Sequence, residues 1–551
     1  MYIRTTRRKN KDGSVVEYLQ LAENQWDPEA GRSQAKILYS FGRADTIDAD
    51  QIRRLVKSLA RFLSPEEALQ ATAAVEGTPS LDGVESRPWG GAWLLDRLWH
   101  QLGIPAALTS LLRQRSYRTP IERALFAMVA NRALAPQSKL STSEWVAEEV
   151  VLPGITTLPV QQCYRAMDWL LESQAALQFA VYDHVAHLLN LEVDLLYFDT
   201  TSTYFETDEP DGETGLRHFG HSKDHRTDRP QIIIGLAVTR EGLPIRCWSW
   251  SGETSDQAVV QQVKQDLVGW KLGRVVTVVD RGMVSDANLR TLQRAGGHYI
   301  AGVKLRAGQP DVHQALSKRG RFTEVQPHLH IKEILVGTGE ARQRFVLAYN
   351  PQEAKRQAAQ RDTMLTALQE RLQHLRTLEG SAHTKAHCAL RSHPTYSRYL
   401  RMRKTGELQL NRTKVRDEAF LDGKYLLTTS DDTLAAADVA LGYKQLLQVE
   451  DAFRTLKSRL ALRPIFHRKS DRIQAHVVLC WLALLLVRVA ENRTEESWGR
   501  IRRTLDRLHL VTFKGAHGTV RQRTELTPDQ QQVFRQLQVE PPPRIAEMAP
   551  Q

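Results

Sequence analysis

Apolar and polar positions change their period along this chain, and each change predicts a different kind of element. In residues 1–48, YIRTTRRK and SVVEYLQLA flank Asp12–Gly13 and read as two paired strands of a small β unit with a basic outer side. Over 49–190 the apolar residues recur at three- and four-residue spacing. AWLLDRLWHQLGI, PIERALFAMVANRAL and PVQQCYRAMDWLLESQAALQFAVYDHVAHLL, separated by Pro and Gly, predict a mainly helical N-terminal region. Over 191–307 the pattern turns strand-rich. LEVDLLYFD, PQIIIGLAVT and LPIRCWSWSG are short-linked strands that predict an antiparallel meander. A helix (SDQAVVQQVKQDLVGW), a strand (RVVTVVD), a helix (SDANLRTLQRAG) and a strand (HYIAGVKL) follow, an alternation that predicts right-handed crossovers.

This order of elements resembles that of ribonuclease H-like domains, an α/β fold with a mixed sheet flanked by helices. In that arrangement the first and fourth strands lie side by side, and Asp199 and Asp280 meet near their ends. The chain from Asp280 to Glu450 is too long for one crossover, which implies an inserted α+β domain at 308–425 before the core resumes at 426–492. The insertion reads as a strand (RFVLAYN), a charged helix opened by Pro351 with Leu365, Leu368, Leu372 and Leu375 on one stripe, and a basic hairpin (SRYLRMRKTGELQLNRTKV). The stripe lasts under two heptads, so packing inside the insertion is favoured over a coiled coil between subunits. KYLLTTS reads as one more strand and RIQAHVVLCWLALLLVRVAEN as a core helix. The remainder, 493–551, is basic and ends in EPPPRIAEMAPQ, expected to be a disordered tail.

Composition narrows the partner. The 551 residues carry 75 Lys+Arg against 63 Asp+Glu, a net charge of +12 that favours a polyanion, with nucleic acid first. Cys163, Cys247, Cys388 and Cys480 form no CxxC pair, so neither a disulfide framework nor a thiolate zinc site is indicated, and a reducing cytoplasm fits. MYIRTTRRKNKDG contains no apolar signal region. The longest apolar run, Val477 to Val487, falls far short of the ~20 residues that span a bilayer. Neither a GxxxxGK[ST] loop nor an HExxH pair occurs, which removes support for ATP-driven and zincin chemistry.

The chemistry concentrates in YKQLLQVEDAFRTLKSRL. Tyr443, Glu450 and Lys457 recur every seven residues, about two turns, and would share one face of an amphipathic helix. Converging carboxylates repel unless a divalent cation neutralises them, and Mg²⁺ prefers oxygen ligands while keeping positions open for water and phosphate. Asp199, Asp280 and Glu450 suit a two-metal site, with Asp199 bridging, Asp280 on one ion and Glu450 on the other; Mn²⁺ is the expected substitute.

These segments resemble the Asp-Asp-Glu transposases of bacterial insertion sequences, in the group with a Tyr-x2-Arg-x3-Glu-x6-Lys signature and an insertion before the last carboxylate. DTTSTYFE, GHSKDHRTDRPQIIIGLAVTREGLPI and VDRGMVS carry the resemblance further, over about 190–490. It implies end cleavage at terminal inverted repeats and strand transfer into target DNA, in a dimeric synaptic complex with Mg²⁺ and no membrane. Tyr443 and Lys457 would contact phosphates. Leu446 stands at the signature's Arg position, with Lys444 or Arg454 as candidates to supply its charge. Other classes remain open: a structure-selective nuclease or resolvase on the same fold, and an inactive DNA-binding descendant.

Further residues carry secondary readings. Thr157–Pro159 before a helix resembles the opening of a helix-turn-helix recognition helix, with Gln161, Gln162 and Arg165 facing DNA, although a helix in a bundle is favoured. His218, His221 and His225 could bind zinc, but with Lys223, Arg226 and Arg229 nearby they read better as a basic loop on phosphates. Trp248 and Trp250 are expected on opposite faces of their strand, mainly in the core. The insertion lacks Trp, which leaves Tyr396 or Tyr399 for any base stacking.

Overall fold

The computed structural model describes the chain except residues 12, 29–30, 64–66, 69–70, 72–81, 113–119, 190–194, 269, 271–275, 306–309, 339–341, 516–517 and 551. It forms two bodies: Met1–Trp93 with Arg503–Arg535 and Glu540–Gln551, and Leu94–Arg502 with Gln536–Val539.

In the first body, strands Tyr2–Lys9, Val15–Asp27 and Arg32–Arg43 make an antiparallel sheet. The predicted hairpin is present, closed by Asn10 N–H on the Ser14 carbonyl at 2.8 Å, with Gly13 at φ +84° where a side chain would be strained. Asp12 lies outside the described residues. The third strand was not foreseen. Helix Ala49–Ala60 follows, its first turn capped by the Asp48 carboxylate, which accepts from Asp50 N–H at 2.9 Å.

A second sheet in this body overturns the expectation for the tail. Ile545–Pro550 pairs with Gly518–Arg523, which pairs with His509–Gly515, which pairs with Asp82–Pro88, all antiparallel. Ile545–Pro550 is a strand because it pairs along the edge that Gly518–Arg523 leaves open. Arg523 also fastens it, donating from Nε to the Pro542 carbonyl at 2.8 Å and from its backbone N–H to the Arg544 carbonyl at 2.9 Å.

The second body holds a helical layer and a nine-stranded sheet. Helices Ile121–Leu134, Val160–Leu189 and Ser470–Thr494 pack on one another. Ser470–Thr494 is long and apolar enough to cross a membrane, but 89% of its apolar stretch is buried within the protein, as expected for a core helix. Val160–Leu189 buries Cys163, Ala166, Met167, Leu170, Leu177 and Val181 in that layer, the pattern of a bundle helix rather than a recognition helix.

The sheet runs in the order 323–326, 329–336, 343–349, 424–429, 298–303, 276–279, 195–204, 231–238, 244–251. Leu195–Tyr204, Gln231–Val238 and Pro244–Ser251 form the predicted meander, and Leu195–Tyr204, Val276–Val279 and His298–Val303 are parallel neighbours. Helices Val259–Val268 and Asp286–Gln293 contribute Val259, Val260, Val263, Leu267 and Leu292 to a core shared with Phe198, Trp248 and Ile245 of the sheet.

The segment 308–425, expected as one inserted domain, does not stand apart as a whole. Strands Thr323–Gln326, Leu329–Val336 and Gln343–Tyr349 extend the same sheet and are joined to it through Lys424–Thr429. The five consecutive buried residues in QRFVLAY are the pattern of an interior strand. Only the chain between 351 and 423 stands apart, as helices Pro351–Thr377 and Gly380–Ser392, the hairpin of Leu400–Met402 with Leu408–Leu410, and helix Arg412–Phe420. Leu368, Leu372 and Leu375 bury against Leu390, Tyr399 and Leu408, so the leucine stripe is internal packing.

Candidate active site

Two carboxylates meet because two strands run parallel in register. Phe198 lies opposite Val279, so Asp199 and Asp280 are the next residues along adjacent strands, which are about 4.8 Å apart. Asp199 takes a hydrogen bond from Thr200 N–H at 2.7 Å. Burial pushes its carboxyl up to about 6, opposed by the Lys223 ammonium and reinforced by the charges of Asp280 and Asp256. On the other carboxylate, the Tyr443 hydroxyl donates to Asp280 Oδ1 at 3.0 Å. Burial and the Asp280 charge together push the phenol far above its ordinary value. Gly302 leaves room for this ring, since a Cβ there would collide with the Tyr443 hydroxyl.

A third acidic residue, Asp256, was not foreseen. The loop after Pro244–Ser251 returns it to Thr200, whose hydroxyl donates to Asp256 Oδ1, and to Lys223, whose Nζ lies 3.2 Å from Asp256 Oδ2. The same ammonium donates to the Thr200 carbonyl at 2.7 Å and lies 3.7 Å from Asp199 Oδ1. In the sequence Asp256 lies at the start of the segment predicted as a helix, SDQAVVQQVKQDLVGW, with no motif to mark it.

The seven-residue face is not carried by one continuous helix. Ala436–Lys444 ends in a tightened turn at Gln445–Leu446, Leu447–Arg454 follows, and Thr455–Arg459 is a π turn closed by Leu460 N–H on the Thr455 carbonyl at 3.0 Å. Tyr443 therefore reaches Asp280, while Lys457 forms an ion pair with Asp224 at 3.0 Å. Leu447–Arg454 packs on the strands of Asp199 and Gln231, with Val449, Ala452 and Phe453 buried. Glu450 is exposed on this helix. Leu446 is buried, 7% exposed.

Most of the expected phosphate contacts are engaged within the protein. Lys223 points into the carboxylates instead of outward. Arg226 makes a two-point ion pair with Asp228 at 2.8 and 2.9 Å and stacks on Tyr204. Arg229 pairs with Asp208, and Arg454, exposed, pairs with Asp451 at 2.6 Å. His218 Nε2 lies 3.2 Å from the Gly215 carbonyl, and the three loop histidines do not gather at one point. Trp248 and Trp250 share a face, with rings 6.2 Å apart and 7° from parallel. Residues two apart on a strand point the same way, which corrects the opposite-face expectation.

Adjacent oxygen ligands, one of them strongly desolvated, suit a divalent cation by the chemistry of the donor set. Asp199 and Asp280 would hold it, at the spot where the Lys223 ammonium is now the nearest counter-charge to Asp199. Among the described residues no three His, Cys, Asp or Glu side chains are gathered as a ligand set, so Glu450 is not drawn in with the pair.

Comparison with known proteins gives two family matches. Residues 3–71 match the N-terminal domain of IS1634 family transposases, and residues 200–486 match the transposase DDE domain. No curated protein matches the chain. Among solved structures, a piggyBac transposase synaptic complex with hairpin DNA, determined by cryo-electron microscopy, is 10% identical. That match covers 77% of this chain and 82% of that one with a TM-score of 0.35.

Proposed function

The chain belongs to the DDE transposases of insertion sequences, and on that premise we propose that it binds the terminal inverted repeats of its element, cleaves DNA at the ends and transfers the freed strand into target DNA. The observation that carries this reading is the in-register placement of Asp199 and Asp280 on neighbouring parallel strands. Asp199, Asp280 and Glu450 would hold divalent ions, Mg²⁺ first, which would activate the attacking hydroxyl and stabilise the leaving oxygen. Tyr443 orients the Asp280 carboxylate through its hydroxyl. Glu450 is exposed on a helix packed against the Asp199 strand and would join the pair when the DNA end arrives. Residues 1–48, 49–190 and 493–551 supply further DNA contacts, and the working assembly is a homodimeric synaptic complex in the cytoplasm.

The test is cleavage and strand transfer on a labelled duplex carrying the element's end, with Mg²⁺ at low salt. Asp199→Ala, Asp280→Ala and Glu450→Ala should each lower both steps by roughly a hundredfold or more while DNA binding persists. Cutting without joining would reassign the protein as a nuclease. Binding without chemistry in the wild type, across several metals, would make it a DNA-binding relic.

A further inference from the structure

Asp224 holds two cations at once. Its Oδ1 lies 3.0 Å from Lys457 Nζ and its Oδ2 lies 3.2 Å from Arg463 Nη1, with all three side chains mostly buried. The Arg463 guanidinium is further fixed by stacking on Tyr204, its Cζ 4.4 Å from the ring centre. Lysine and arginine thus bracket a two-oxygen anion. Asp224 follows Lys223, whose ammonium lies 3.7 Å from Asp199 Oδ1, so the bracket is next in sequence to a side chain at the carboxylate pair. Arg463 also opens onto a cavity of about 830 Å³ lined by Tyr204, Arg217 and Arg468, with Glu206 and Glu209.

We infer that Arg463 joins the signature lysine Lys457 in holding a backbone phosphate of the DNA end, with the Asp224 carboxylate standing in for the phosphate until DNA arrives. The site rests on the transposase reading above. It also assigns the guanidinium that Leu446 cannot supply. Arg463 presents a planar fork on the same carboxylate as the signature lysine and is mostly buried there, whereas Arg454 is exposed and shares no partner with that lysine. A carboxylate and the two non-bridging oxygens of a phosphodiester are similar anions, so exchange requires only that the loop carrying Asp224 give way.

The experiment measures binding of the full-length chain to a labelled duplex carrying the element's end, by fluorescence anisotropy without divalent metal over a salt series. Arg463→Ala should weaken binding about tenfold and reduce the slope of log affinity against log salt by about one. Arg463→Lys, which keeps the charge, should restore the slope but not the full affinity. Asp224→Asn, which stops the internal competition, should tighten binding several-fold. An Arg463→Ala protein that is folded by circular dichroism yet keeps wild-type affinity and slope would overturn the site and leave the transposase reading intact. Asp224→Asn binding as weakly as Arg463→Ala would also overturn it, by showing that the carboxylate only props the two cations. A wild-type chain that binds no duplex would remove this inference and the transposase reading together.

Discussion

Leu446 shows how one side chain decides which residues can serve the site. It occupies the tightened turn between the helix of Tyr443 and the helix of Glu450, and it is buried. An arginine there would have to carry its charge into that packing or force the turn open. Leu446→Arg is therefore expected to destabilise the protein by about 3 kcal/mol or more without improving end cleavage. Thermal unfolding together with the cleavage assay checks this; a stable variant that cleaves faster would return the role to position 446. The residues legible in the sequence were those whose setting is local. Asp280 follows the β-branched run Val276–Val279, and Asp199 follows the apolar run Leu195–Phe198 inside its longer strand, so their place on the sheet follows from the strands themselves. Asp256 and Arg463 could not be read that way. One is brought to Thr200 by a returning loop and the other lies beyond a π turn, and neither geometry leaves a periodic trace.

Strand pairing explains where element boundaries were misjudged. Helices and strands between 195 and 303 were legible because each is local and short-linked, whereas a distant segment's partner depends on which sheet edge is open to it. Strand Gln343–Tyr349 pairs along Lys424–Thr429 and carries Leu329–Val336 and Thr323–Gln326 into the same sheet, which the sequence pattern had set apart. The C-terminal strand is the same effect at the other end of the chain. Ile545–Pro550 covers the edge of Gly518–Arg523, whose backbone groups would otherwise be open to pairing with another molecule. Removal of residues 541–551 should lower the thermal midpoint and promote self-association, visible as light scattering that grows with protein concentration. A truncated chain that melts like the parent and stays dispersed would show that the strand adds nothing to that sheet.

The chain's excess positive charge, +12 in all, is carried inward as well as outward. Among the helices of the second body, Lys139 is fully buried, facing the Arg132 guanidinium and the thiols of Cys163 and Cys480, with His467 and His476 close by. Burial and Arg132 lower the Lys139 ammonium from 10.5 to about 8. Between these values the unfolded chain holds a proton that the folded chain has released, so stability rises with pH from about 8 to 10.5. Below about 8 both states are charged at this site, and the fold bears the full cost of burying the ammonium, on the order of 3 kcal/mol. The histidines act in the same sense on the acid side. His467 is lowered from 6.5 to about 4, chiefly by burial, so stability falls as pH drops through that interval. Lys139→Met should consequently raise the urea midpoint at pH 7, its advantage over wild type should shrink across pH 8 to 10.5, and the loss below 6.5 should soften, because the Lys139 charge is, after burial, the next cause that holds His467 and His476 low. An advantage that stays constant with pH would mean that methionine merely packs better, and that the lysine is not held as an unpaired charge among these helices.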